Sequence, residues 1–164
     1  TQLLYDTALA IVEQETHREM GPTEKALALH DYLVLNAAYD LTGPTEDLST
    51  AESVLFYGRG QCQGFVEAYS LLLGLAGVNS RVISGSGADR DNRWMPHAWN
   101  MVEVEGAWHH VDVTWDNPVP KRAQYVSRTY FMRSDAYMQN THHWYVGYPT
   151  ASGDRTFPDL DLTA

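Results

Sequence analysis

The chain has 164 residues, 44% of them hydrophobic and 20% charged, the proportions of a water-soluble domain with one sizeable core. Its formal net charge is −10, and Lys25 and Lys121 are its lysines; no basic cluster exists, which argues against nucleic acid and anionic membrane surfaces as partners. The acidic balance reads as a solubility device, with attraction for cationic substrates as the alternative. No apolar run approaches the ~20 residues that span a bilayer, nothing at the start reads as a signal peptide, and a single cysteine forbids an internal disulfide.

Helices come first along the chain and strands second. Leu4, Ala8, Ile11 and Val12 form a helical stripe within residues 3–19, and Gly21-Pro22-Thr23 interrupts it. A second helix starts there, with Pro22 in its first turn, and runs through Leu27, His30 and Val34 to about Leu35. Residues 40–50 read as a polar loop and Ser53 to Tyr57 as a short helical turn. The clearest helix follows: Phe65, Tyr69, Leu72, Leu73 and Ala76 fall on one face, and Gly77 ends it. Arg81 to Ser84 is β-rich, and 85–96 reads as a polar loop leading into His97. His97 to Val104 and Ala107 to Trp115 flank a tight turn at Glu105-Gly106. If Val104 faces Ala107, then Asp112 falls opposite Trp99 and Thr114 opposite His97. All four then project from one side, with His97 and Asp112 diagonal neighbours. Residues 1–147 are expected to form the catalytic domain and 148–164 a surface wrap or linker.

Cys62 follows the glycine-rich run Tyr57-Gly58-Arg59-Gly60-Gln61 and opens the third helix. There the unpaired N–H groups and the helix dipole favour a thiolate. Cys62, His97 and Asp112, each at the edge of a regular element, suggest a thiol acyl-transfer site. Cys62 attacks a carbonyl or carboxamide carbon, His97 takes the thiol proton and returns it to the leaving amine, and Asp112 fixes the imidazole tautomer. The Cys62 N–H is a natural oxyanion donor; Tyr39, Tyr57 and the Gln61 side chain all qualify as the second. Trp94, Trp99, Trp115 and Trp144 either fill the core or wall a channel that excludes water, with Trp99 and Trp115 the expected cleft residues.

These residues resemble a known family. Gly60-Gln61-Cys62-Gln63-Gly64-Phe65, His97-Ala98-Trp99-Asn100 and Trp108-His109-His110-Val111-Asp112-Val113-Thr114-Trp115-Asp116 look, in that order, like the bacterial transglutaminase-like domain. His30-Asp31-Tyr32 with Tyr39-Asp40, and Tyr130-Phe131-Met132-Arg133-Ser134-Asp135 followed by His142, match its flanking pattern, so the resemblance covers residues 22–143. It implies a papain-like α+β fold, with a Cys-bearing helix packed on an antiparallel sheet that carries His and Asp. It also implies acyl transfer through a thioester on peptide or glutamine-type amides, without a metal or other cofactor. Peptide or protein substrates and an extracellular or cell-envelope address in a bacterium follow from the same resemblance. Members are cross-linking transglutaminases, peptidases or amidases, and some have lost the triad; here all three residues are present. The tryptophan that animal transglutaminases use near the oxyanion has no counterpart, since no Trp precedes Trp94, and neither do their calcium sites.

Three other readings compete. His109-His110 and His142-His143, with Asp112 and Asp116, invite a metal site, but adjacent strand residues point to opposite faces and no His-Glu-x-x-His motif occurs. Gly85-Ser86-Gly87 does not form a strand-to-helix serine elbow. A non-catalytic peptide- or carbohydrate-binding module would show an unreactive Cys62 with an ordinary thiol pKa.

Overall fold

The computed structural model describes residues 1–89 and 91–163; Arg90, in the segment expected as a loop, and Ala164, at the end of the tail, lie outside them. The elements in chain order begin with α1 (Gln2–Glu15), α2 (Pro22–Asn36), β1 (Ala38–Tyr39), α3 (Ala51–Tyr57), β2 (Arg59–Gly60) and α4 (Cys62–Leu75). Then come β3 (Asn79–Ala88), β4 (Trp94–Val104), β5 (Ala107–Val111), α5 (Val113–Asp116), β6 (Tyr125–Val126), β7 (Phe131–Arg133), α6 (Asp135–Met138), β8 (His142–Trp144) and β9 (Leu160–Asp161).

The first helix stops at Glu15, short of the expected Glu19. Thr16 turns extended, and its hydroxyl bonds back to the Val12 carbonyl at 2.7 Å. Helix α4 buries Phe65, Tyr69, Leu72 and Leu73 as their spacing dictates, each contributing roughly 1.5–3 kcal/mol of transfer free energy. Its end is a Schellman turn. Val78 N–H reaches the Leu73 carbonyl (2.9 Å) and Gly77 N–H the Gly74 carbonyl (3.1 Å), with Gly77 at φ +78°. The polar stretch 40–50 contains a 3-10 turn, Thr45–Leu48, whose Leu48 is buried.

The main sheet has the order β7-β5-β4-β3-β8, and every pair in it is antiparallel. The hairpin turn has positive φ at both Glu105 (55°) and Gly106 (79°), the requirement of a type I′ turn, and Val104 does face Ala107. The pairing ends at Asn100–Val111, so the expected strand 107–115 is too long. The Asp112 carboxylate accepts the Trp115 N–H (3.1 Å) and starts the helical turn α5, so Thr114 never comes opposite His97. The expected loop 85–96 is too long as well. Residues 85–88 extend β3 and 94–96 open β4, because β4 and β8 flank 85–87 and satisfy a backbone whose Gly and Ser residues suggest a turn, while 94–96 pair with β3.

Both sheet faces are covered. Val102, Val104 and Val111 pack with α4 in the larger core, while Ile83, Trp99 and Met101 pack with Met138 and Ala151 on the other side. This is why β4 is almost continuously buried from His97 to Val104. The segment after Tyr148 contributes Ala151 to that second cluster, sets Phe157 edge-on to Phe131, and adds β9 beside β6.

Candidate active site

Helix α4 starts where it does because the chain before it is tied down. Gln61 N–H donates to the Leu48 carbonyl at 2.8 Å. A Cβ on Gly64 would meet the same carbonyl at 2.7 Å, and one on Gly60 would meet the Val54 methyl at 2.6 Å, so only glycine permits this approach. Cys62 is the first helical residue and is half-buried, in a helical turn whose first N–H groups have no intrahelical acceptor.

The hairpin register brings the other two groups to it. Beyond the Asn100–Val111 pair the β5 side of β4 is open, since the chain has turned into α5. Ser84, opposite Ala98, donates its N–H to the Tyr148 hydroxyl (3.2 Å) rather than to β4, so the Ala98 N–H points to that open side. There it donates to the Cys62 sulfur. His97, one residue earlier, directs Nε2 to Asp112 Oδ2 at 2.7 Å, which leaves Nδ1 for the thiol.

Electrostatics favour an ion pair between Cys62 and His97. Burial pushes the Cys62 thiol up, but the hydrogen bond and charge of His97, with the Ala98 N–H, outweigh it and bring the thiol below its ordinary value. Burial likewise works against the His97 imidazolium, yet Asp112 and Cys62 raise it to about 10. Asp112, though fully buried, is held far below the usual carboxylate range by His97 and His142.

Two more histidines stand behind these three residues. His142 Nε2 meets Asp112 Oδ2 at 2.8 Å, and its Nδ1 meets Thr141 Oγ1 at 2.9 Å. His110 Nδ1 accepts the Trp99 indole N–H (2.9 Å), which makes it a neutral ring, and its Nε2–H donates to Asp135 (2.7 Å). Donor atoms of His97, Asp112 and His142 lie within 4.8 Å of one another, the spacing of a metal site. Both nitrogens, however, are engaged by one ionised oxygen at hydrogen-bond length, and an ion would have to displace both protons. Sequence reasoning placed His142 in the flanking pattern and among the residues weighed for a metal site, not as a partner that shares Asp112 with His97. Its sole signal was position after the Ser134-Asp135 cap, because a three-residue strand shows no periodicity.

The remaining expected residues divide. Tyr39, on β1 beside β2, is half-buried and feels the Cys62 charge. Gln61 has its side-chain amide on the Asp40 carbonyl (3.1 Å). Tyr57 is 75% exposed at the end of α3, with its ring against Phe56. Trp99 is 1% exposed, so it lines no open cleft as expected; it stacks behind His97 with centroids 5.6 Å apart. Trp115, partly exposed, stacks on His97 at 5.1 Å. A Cβ on Gly87 would stand 2.8 Å from the Trp115 ring and 3.4 Å from His97, so this glycine admits both rings. Trp94 is 41% exposed and stacked on His143, and Trp144 borders a shallow cavity of about 480 Å³ with Gln139, Tyr145 and Val146.

The chain is similar to known proteins. Kyphoscoliosis peptidase of Homo sapiens is 26% identical over 121 residues, 67% of this chain and 18% of that protein. The Mus musculus protein of that name is 26% identical over 113 residues, 62% of this chain and 16% of its own. The chain thus spans less than a fifth of the curated relatives it matches. Among solved structures, a TGase superposes with a TM-score of 0.60 at 20% identity, covering 69% of this chain and 32% of that one. A candidate cysteine protease from Cytophaga hutchinsonii gives 0.58 at 19% identity, covering 71% and 40%. These two share the papain-like α+β fold described above. The model of the transglutaminase-like superfamily matches residues 9–113, a stretch containing Cys62, His97 and Asp112, and the chain belongs to that superfamily.

Proposed function

We propose that this domain carries out thiol-dependent acyl transfer on peptide or glutamine-type amides, as a peptidase or a transglutaminase. The supporting observation is the continuous array of Cys62, His97 and Asp112, in which His97 overcomes the burial of the thiol and lowers its pKa. The thiolate attacks the amide carbon and the C–N bond breaks as His97 gives its proton to the leaving amine. Water or a second amine then resolves the thioester, with His97 as base. Asp112 keeps the proton of Nε2 in place throughout. The Cys62 N–H at the start of α4 faces the developing oxyanion, and the Tyr39 hydroxyl is the favoured second donor, since the Gln61 amide is already engaged and Tyr57 lies at the surface. The half-exposed Trp94–His143 stack and Trp115 offer aromatic surface to a peptide beside His97.

Alkylation by iodoacetamide against pH tests the ion pair. A thiolate reactive below about pH 7, and lost in His97→Ala, supports it. A thiol titrating near about 8.5 in both proteins favours a binding module instead. Cys62→Ala should lower turnover of peptide amides at least about 10³-fold while thermal stability stays near that of wild type. Adding a primary amine separates hydrolysis from transamidation by the product formed.

A further inference from the structure

His142 is a buried titratable group at this site that the three-residue mechanism does not use. It enters from the edge strand β8, is completely buried, and is held between Trp99 (4.7 Å between ring centroids) and Trp115 (4.5 Å). Its Nε2 reaches the very oxygen of Asp112 that His97 uses, at 2.8 Å against 2.7 Å. An ionised oxygen facing two ring nitrogens accepts from both, so Nε2 of His142 carries its proton. Nδ1 then accepts from the Thr141 hydroxyl, which also meets the Tyr130 hydroxyl. The titratable groups facing His142 are Asp112, His97 and Tyr130, with His110 farther off.

We propose that His142 is a positioning residue of the thiol site. By donating to Asp112 Oδ2 it holds the carboxylate for His97 and divides its charge between two imidazoles. The His97 imidazolium then keeps enough of its field to stabilise the Cys62 thiolate. The proposal rests on the thiol reading above, and it moves no proton and breaks no bond.

Two variants decide it. His142→Leu removes the donor, while His142→Gln places an amide N–H where Nε2 stood. With Leu, Asp112 either swings away from His97 or presents it with its undivided charge. In both cases the thiolate loses support, so the acid edge of Cys62 alkylation should rise by about one pH unit. With Gln it should stay at the wild-type position. A wild-type profile for the Leu variant would reduce His142 to a space-filler, and equal shifts in both variants would do the same. Should the Leu variant not fold, the wild-type protein still answers through long-range ¹H–¹⁵N spectra. An Nε2-protonated His142 with a low-field proton supports the proposal; an Nδ1-protonated ring overturns it. A wild-type Cys62 with an ordinary thiol pKa would sink the thiol reading, a result visible before any His142 variant is made.

Discussion

Two buried carboxylates hang from the same short helix, and they do different things. Asp112 caps α5 and Asp116 ends it. Asp112 holds His97, whose second nitrogen faces a half-buried thiol. Asp116 holds His30 of α2 at 2.8 Å, and the second nitrogen of His30 meets Asp31 at 2.9 Å. Asp31 is closed off in turn by Arg128, and Asp116 by the Tyr130 N–H. Two facing carboxylates favour the imidazolium form of His30, although burial pushes the Asp116 carboxyl up to about 6. Burial opposes that charge, but Asp116 and Asp31 raise its pKa to about 9. The His–Asp pair alone is therefore not a catalytic signature. The two pairs differ in what the second nitrogen faces: a half-buried thiol in one case, a neutralised structural clamp between α2, α5 and the 127–130 segment in the other.

Exchanging the carboxylates for amides should separate the two pairs most sharply. Asp112→Asn should reduce kcat about 10³–10⁴-fold by mis-setting the His97 tautomer, with the fold intact by circular dichroism. Asp116→Asn should leave the Cys62 alkylation profile in place but destabilise the domain by about 3 kcal/mol in urea, having broken a buried ion pair. Equal losses of activity in both variants at equal stability would erase the distinction. The clamp also has a pH signature. The folded pKa of His30 is about 9 against 6.5 when unfolded, so its stabilisation is complete below 6.5 and disappears as pH rises through 9. The melting temperature should fall across that window, and His30→Gln should make the fall shallower. The smallest effect is expected from Gly87→Ala, whose methyl would crowd Trp115 and His97; kcat should fall about 10-fold with little change in melting temperature.

Much of this was legible from residue order. Cys62 at a helix start follows from the apolar stripe of α4 and the glycines before it, and the His97–Asp112 bond follows from a two-residue hairpin whose length sets the register. The same register misled beyond Val111, since Asp112 serves as a helix cap as well as a histidine partner, and the cap ends the strand. Trp99 illustrates a different failure. Its place beside His97 suggests a cleft, but α6 and the segment after Tyr148 cover that face, and burial is set by elements distant in sequence.

Local patterns therefore determined the long helices, the hairpin turn and the choice of Cys62, His97 and Asp112 as candidates, because periodicity, capping and hairpin length act over a few residues. Only the tertiary structure decided that His142 shares the Asp112 carboxylate, that the Ala98 N–H faces the sulfur, and that His30 with Asp116 is a clamp. Those contacts join residues 30–86 positions apart, and in a covered sheet the partner of a buried polar group is whichever distant strand or helix the packing brings to it.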